Sequence, residues 1–299
     1  MTRCSIGVDI GGTNLRAARV GIDGRVSYHR SEAITRDPEA VIARITALCR
    51  DLDDTAVDAI GIGVPGRIDA NRQLVLSGGY VDLGGHDLVR RLEDSFGKPV
   101  AVGNDCGMAL VAEMALGAGV GYGNVVMFTI GTGIGGAVAL DGCVIHGAGT
   151  AGQLGHITVE PGGQPCNCGR RGCVETTSSG TALGRHLAEA GLPPGTRVET
   201  LLDAARQGDG AALTILQRWA GPLRSAIDSM VAAVAPDLVL LGGGLGQAAA
   251  AALAHAPAMS PWYQCRVAAA QLGDDAGVIG SALAAVAHAR ALVPARVEP

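Results

Sequence analysis

A chain of 299 residues is long enough for one large domain or two modest ones. Hydrophobic residues at 48% against 17% charged imply a sizeable buried core and exclude a disordered chain. A net charge of −5, with no Lys/Arg run and few aromatic rings, argues against a nucleic-acid or membrane surface. The first glycine turn starts at Asp9, ahead of any signal-like apolar stretch, and the apolar region after Met230 is broken by Pro236, Asp237 and a triple glycine. Neither secretion nor a membrane span is expected. Three of the eight cysteines crowd into residues 166–173 and the rest are scattered singly, which fits reduced thiols in a cytoplasmic protein.

In chain order, residues 4–13 (CSIGVDIGGT) read as an apolar strand running into a Gly-Gly turn, and residues 15–26 as a hairpin turning at Asp23-Gly24. Residues 38–52 set Val41, Ile42, Ile45, Leu48 and Leu52 on one helical face behind an N-terminal proline. A strand at 58–66 ends on a glycine turn; a short amphipathic helix at 86–96, a strand at 99–105 and a helix at 106–116 follow. The opening pattern then returns, with a strand into a glycine turn at 125–136 and a strand carrying a second Asp-Gly turn at 137–145. This predicts an internal duplication: two related α/β halves facing each other across a cleft. A Cys-rich loop (152–175), a helical stretch (178–235), a strand (237–244) and a closing helix (278–292), free to cross back to the first half, complete the chain. The expected domains are 1–118 with 278–299, the smaller, and 119–277, carrying the Cys-rich loop.

Gly131-x-Gly133-x-x-Gly136 and Gly61-x-Gly63-x-x-Gly66 both match the dinucleotide fingerprint. That fingerprint needs a helix directly after its glycines, whose N-terminus receives the pyrophosphate. Residues 137–142 read instead as a strand and a turn, and Pro65 interrupts the other match, so hydride transfer is disfavoured. Lys98, the one lysine, lacks the glycines and Ser/Thr of a Walker A loop. Two glycine turns within hairpins remain, at 9–14 and 129–136. Their backbone N–H groups and threonine hydroxyls suit phosphate oxygens, and glycine permits the close approach. Asp9 is placed to orient the water shell of Mg²⁺. Either turn alone reads as a simple tight turn; the pair in a duplicated setting reads as phosphate binding.

His156, Cys166, Cys168 and Cys173 offer one imidazole and three thiolates within eighteen residues, the donor set of a closed, structural zinc site. Four protein donors leave no open position, so such a metal orders the chain and does not perform the chemistry. Asp105 follows an apolar strand and precedes a helix. A carboxylate at the carboxyl end of a strand stands where α/β active sites gather, although the same position also suits an ordinary helix N-cap.

Taken together, DIGGT (9–13), GIGVPG (61–66), GND (103–105), GTGIGG (131–136), the Cys-rich loop and LGGG (241–244) resemble the ROK family of sugar kinases and sugar-responsive repressors, in the family's order over residues 6–284. The resemblance implies a two-domain α/β, actin-like ATPase (ribonuclease H-like) fold with an interdomain cleft, and transfer of the ATP γ-phosphate to the 6-hydroxyl of an aldohexose. It implies that Asp9, Gly11, Gly12, Thr13 and Asn14 hold the phosphates and Mg²⁺, that Thr132 and Gly133 form the opposing loop, and that Gly242, Gly243 and Gly244 border the adenosine. Asp105 corresponds to the general base, and Asn104, Gly66, His156 and Glu175 to sugar ligands. A homodimer is implied as well.

Three departures bear on the substrate. Gln153 stands where the family has a sugar-binding glutamate, Gly107 replaces a second asparagine, and Asp82 takes an asparagine's place in a loose alignment. Exchanging amide and carboxylate in this way suggests a cationic aminohexose, such as kanosamine, in place of glucose. The alternatives are an N-acetylmannosamine or other N-acetylhexosamine kinase, or a non-catalytic sugar sensor. Repressors of the family carry a helix-turn-helix ahead of the first glycine turn, for which a start at residue 9 leaves no room.

Overall fold

The structure, a computed structural model, describes residues 3–258 and 260–292. The chain divides into two compact units, one drawn from Met1–Gly117, His146–Ala151 and Asp274–Pro299, the other from Ala118–Ile145 and Gly152–Gly273.

The first unit holds β1 (Cys4–Ile10), β2 (Asn14–Gly21), β3 (Val26–Ala33), α1 (Pro38–Leu52), β4 (Val57–Val64), β5 (Gly66–Asp69), β6 (Leu74–Gly78), α2 (Leu88–Phe96), β7 (Val100–Asn104) and α3 (Asp105–Leu116). The second holds β8 (Val125–Ile130), β9 (Ile134–Leu140), β10 (Cys143–Val144), a 3₁₀ turn (Leu154–His156), α4 (Glu175–Ser178), α5 (Gly180–Glu189), α6 (Val198–Arg206), α7 (Gly210–Val234), β11 (Leu238–Gly242), α8 (Gly246–Ala252) and β12 (Val267–Ala269). α9 (Ala276–Leu292) returns to the first unit.

The duplication holds at the level of topology. The first sheet runs β3-β2-β1-β4-β7 and the second β10-β9-β8-β11-β12. In each, three consecutive strands pair antiparallel, the first of them pairs parallel with a later strand, and that strand pairs parallel with a further one. Each second-to-third-strand turn is Asp-Gly, with Gly24 at φ 77° and Gly142 at φ 78°, the left-handed conformation that glycine adopts without strain.

One face of the first sheet buries Ile6, Val8, Ile10, Ile60 and Ile62 with Val41, Ile42 and Ile45 of α1. The other face lies so close to α9 that a Cβ at Gly7 would stand 1.9 Å from the Val278 carbonyl oxygen, and one at Gly61 1.8 Å from that of Ser281. The second unit has its own core, centred on Phe128 of β8 and Trp219 of α7. No helix among the described residues is long and apolar enough to cross a membrane.

The expected helical stretch at 178–235 is three helices, α5 to α7, with the short α4 just ahead of it. Gly191, Pro193, Pro194 and Gly195 break it once, and the left-handed Gly208 with the capping side chain of Asp209 breaks it again. The polar residues after Gly66, expected to lack regular structure, form the β5–β6 hairpin. α2 starts at Leu88, two residues later than expected, because Asp87 is left-handed at φ 47°. α8 and β12 had no counterpart in the sequence reading.

Candidate active site and metal centre

In the first unit the parallel strands β1, β4 and β7 end side by side, with Asp9 paired in register to Gly63 and Val64 to Asn104. Asp9 is 8% exposed. A Cβ added at Gly277 of α9 would lie 2.6 Å from the Asp9 carboxyl carbon, so only a glycine admits the carboxylate there. Arg16, the register partner of Asp9 on β2, donates from Nη1 to Asp9 Oδ2 at 3.4 Å and from Nη2 to Asp274 Oδ2 at 3.3 Å. Burial foremost, and then the Asp105 charge, push Asp9 up to about 7 against the pull of Arg16.

Asp105 is the first residue of α3; the cap of that helix is Asn104, whose Oδ1 accepts from the Gly107 N–H at 3.1 Å. The N-cap alternative for Asp105 therefore falls to its neighbour. Removal from water holds the Asp105 carboxyl above the ordinary range, while hydrogen bonds from Cys106 oppose the shift. Gly63 lies between the two carboxylates: a Cβ there would be 3.4 Å from Asp105 Cα, 3.6 Å from Asp9 Oδ1 and 3.2 Å from the buried hydroxyl of Ser281.

Asn104, Gly66 and Asp82 are joined by a chain of contacts. Asn104 Nδ2 donates to the Gly66 carbonyl at 3.0 Å; Gly66 pairs with Gly78 across the β5–β6 hairpin; and the Gly78 N–H donates to Asp82 Oδ1 at 2.8 Å. The N–H of Gly84 reaches the same Asp82 oxygen at 3.0 Å. These two donors, Gly84 first, keep the exposed Asp82 ionised below the usual carboxylate range. Gly66 has φ 129°, and a Cβ on it would strike the Ser77 carbonyl at 2.2 Å. The first glycine turn closes through Gly11 N–H to the Asn14 carbonyl at 2.9 Å, leaving Gly12 and Thr13 exposed, with the Tyr80 ring over Gly12.

In the second unit the corresponding turn closes through Gly131 N–H to the Gly133 carbonyl at 2.9 Å, with Thr132 exposed. The Gly242–Gly244 turn follows β11, the parallel neighbour of β8, and Gly243 adopts φ 76° beside Ile130, where a Cβ would meet the Ile130 carbonyl at 2.5 Å. The two glycine turns of the second unit thus share the carboxyl ends of two neighbouring strands, where ligands of α/β sheets bind. Glu175, first residue of α4, accepts from the Ile134 N–H at 2.9 Å through Oε2. Gln153 precedes the 3₁₀ turn that carries His156, and its carbonyl accepts from the His156 N–H at 3.1 Å.

The ligand atoms of His156, Cys166, Cys168 and Cys173 all lie within 4.8 Å of one another. Cys168 Sγ is 3.6 Å from Cys173 Sγ, and Cys166 Sγ is 3.5 Å from His156 Nδ1. Tetrahedral zinc with bonds of about 2.3 Å to sulfur and about 2.0 Å to nitrogen has edges of about 3.8 and 3.6 Å, so both separations fit that ion, and neither is a disulfide. Burial pushes Cys173 up to about 12 and Cys166 also upward, while the Arg170 backbone N–H helps draw Cys168, against its own burial, down to about 7. Thiols this close do not ionise together unless a cation compensates them, which the donor set accommodates.

Every site residue expected from the sequence thus joins a local constellation within one unit or the other. Sequence reasoning missed Arg16, Tyr80, Ser281 and the bond from Glu175 to the glycine turn. Only the first had a readable signal: a hairpin turning at Gly11–Thr13 places Arg16 opposite Asp9.

The ROK family profile matches residues 5–288. The chain is 34% identical to a glucokinase of Thermotoga maritima over 304 aligned positions, covering 93% of this chain and 95% of that one. It is 35% identical to an N-acetylmannosamine kinase of Citrobacter koseri over 291 positions, covering 94% and 98%. Among solved structures it superposes on a ROK family glucokinase from Streptomyces griseus in complex with glucose and AMPPNP, with a TM-score of 0.79, 30% identity and coverage of 95% and 99%. The paired sheets are those of the actin-like ATPase fold. With a matching profile along nearly its whole length and this topology in both halves, the chain belongs to the ROK family.

Proposed function

We propose that this chain is an ATP-dependent sugar kinase that transfers the ATP γ-phosphate to the 6-hydroxyl of an aldohexose. The observation that carries the reading is Asp105, a carboxylate with raised proton affinity at the end of a parallel strand, next to Asn104 and one strand away from Asp9. Asp105 accepts the proton of the 6-hydroxyl as that oxygen attacks the γ-phosphorus and ADP leaves. The Gly11–Asn14 turn, through the N–H groups of Gly12 and Thr13, and the Thr132–Gly133 turn take phosphate oxygens, Gly242–Gly244 border the adenosine, and Asp9 orients the water shell of the nucleotide's Mg²⁺. Magnesium, arriving with ATP, neutralises charge on the transferring phosphoryl group. Asn104, Gly66, Gln153, His156 and Glu175 bind sugar hydroxyls, and His156, Cys166, Cys168 and Cys173 hold a structural zinc ion. We place the protein in the cytoplasm.

For the sugar, the reading commits to a glucose-like hexose, and one observation favours an amino sugar. Asp82 is ionised, exposed and joined to Asn104 through the Gly66–Gly78 pairing, where it suits an ammonium group. Coupled ADP-release kinetics on glucose, mannose, N-acetylmannosamine, glucosamine and kanosamine test both parts. ADP release only when sugar is present supports the kinase, and no release with any sugar rejects it. Equal kcat/KM on glucose and on all the amino sugars rejects the ammonium pairing.

A further inference from the structure

The metal cluster and the second glycine turn are bound together through one side chain. Glu175 lies two residues after the metal-ligating Cys173. Its Oε2 accepts the Ile134 N–H at 2.9 Å, and a Cβ at Gly133 would stand 2.4 Å from the same oxygen. Its Oε1 receives the thiol of Cys166 at 3.9 Å. The opposite side of the cluster presses on the same residue: Gly155, next to His156, lies so near that a Cβ on it would be 1.8 Å from the Ile134 carbonyl oxygen. Beyond Glu175 the chain goes on to brace the turn, with Gly180 N–H on the Gly131 carbonyl at 2.8 Å and the Thr181 hydroxyl on the Thr132 carbonyl at 2.8 Å. Gly131–Ile134 is thus clamped by a segment whose one end is a metal ligand.

We propose that Glu175 is a positioning residue for the phosphate-binding turn, and that metal occupancy at the His/Cys cluster sets nucleotide affinity through it. The proposal rests on the reading that Thr132 and Gly133 take phosphate. A zinc ion held by His156, Cys166, Cys168 and Cys173 would tie together the two segments that press on Ile134, one through Gly155 and the other through Glu175. With both held, the Glu175 carboxylate keeps the Ile134 N–H, which aims the turn's remaining N–H groups outward at the phosphate. Without the ion, the 157–173 loop has no closure and the grip on Gly131–Ile134 slackens.

The test measures Mg·ADP binding by calorimetry with no sugar present, together with hydrogen exchange of the 131–134 amides. Zinc-loaded protein, chelator-stripped protein and the variants Glu175→Ala and Glu175→Gln are compared at measured zinc content. Expected are about tenfold weaker Mg·ADP binding and faster exchange at 131–134 on stripping, and the same losses in zinc-loaded Glu175→Ala. Glu175→Gln, whose amide oxygen still accepts the Ile134 N–H, keeps near-parental affinity. Equal ADP affinity and equal exchange in loaded and stripped protein overturn the proposal. So does a Glu175→Ala variant that loses only sugar affinity. Should stripping unfold the protein, the two variants decide. Metal-dependent exchange at 131–134 in a protein that binds no nucleotide upholds the coupling and rejects the phosphate role instead.

Discussion

Asp9 and Asp105 stand at the ends of β1 and β7, on either side of β4, and the proposed reaction gives the two carboxylates different duties. In the proposed reaction Asp105, next to the sugar-ligand candidate Asn104, accepts the proton, and a positioned base contributes about 10² to 10⁴ in rate. Asp105→Asn is expected to lower kcat by at least about 10², with the fold and metal content retained. Asp9 has its carboxyl raised from the ordinary range to about 7, chiefly by burial. A raised carboxyl stabilises the fold through its neutral form. That contribution is complete below about pH 4 and is lost as pH climbs through about 7. In the absence of nucleotide, Asp9→Asn is therefore expected to melt above the parent at pH 8, by about 2–4 kcal/mol, and level with it near pH 4, while losing activity. Thermal melts across that range check the sign. At this scale the sequence exposes a residue's role where its partners are near in the chain. The four metal donors fall within eighteen residues. Ile134 and Glu175 are 41 positions apart, and no local spacing rule relates them.

The elements most legible in the sequence are those whose ends are chemically marked. α1 begins and ends where expected because Asp37 caps it through the Glu39 N–H, Pro38 opens it, and its apolar residues keep one face. The helices after the metal loop were merged because their apolar periodicity continues through a Gly/Pro break, and the β5–β6 hairpin was missed because Arg67, Asp69 and their neighbours carry no alternation. The sequence reading lets the closing helix cross back to the first half, but which strands it meets was illegible, since a glycine in a strand does not declare which helix will approach it. That contact makes a sharp prediction. Gly61→Ala puts a methyl group where the Ser281 carbonyl oxygen now stands 1.8 Å from the ideal Cβ position. The backbone of α9 must then move away from β4, with an expected loss of about 2–3 kcal/mol and a lower melting temperature. Gly142→Ala, with nothing near its Cβ, is expected to lose only about 1 kcal/mol from its left-handed backbone.

At the scale of the whole chain, the repeated strand order was foreseeable from two glycine turns and two Asp-Gly turns, because each is a local signal that recurs. The assignment of α9 to the first unit rests on contacts between residues more than two hundred positions apart, such as Gly7 with Val278. A chain ending at Gly273 would lack α9 and leave one face of the first sheet bare. Hydrogen exchange on that truncation should show β1, β4 and β7 unprotected, while β8, β9 and β11 keep their protection; parental protection throughout would refute the dependence. The same return of α9 has a consequence for synthesis on the ribosome. The strands that emerge earliest are completed by the helix that emerges after them all, so the second unit has every residue it needs while the first is still waiting. A nascent chain therefore carries an unfinished sheet for most of its translation. Holdase chaperones have their natural target there, and a premature stop anywhere upstream of α9 damages the oldest part of the polypeptide first.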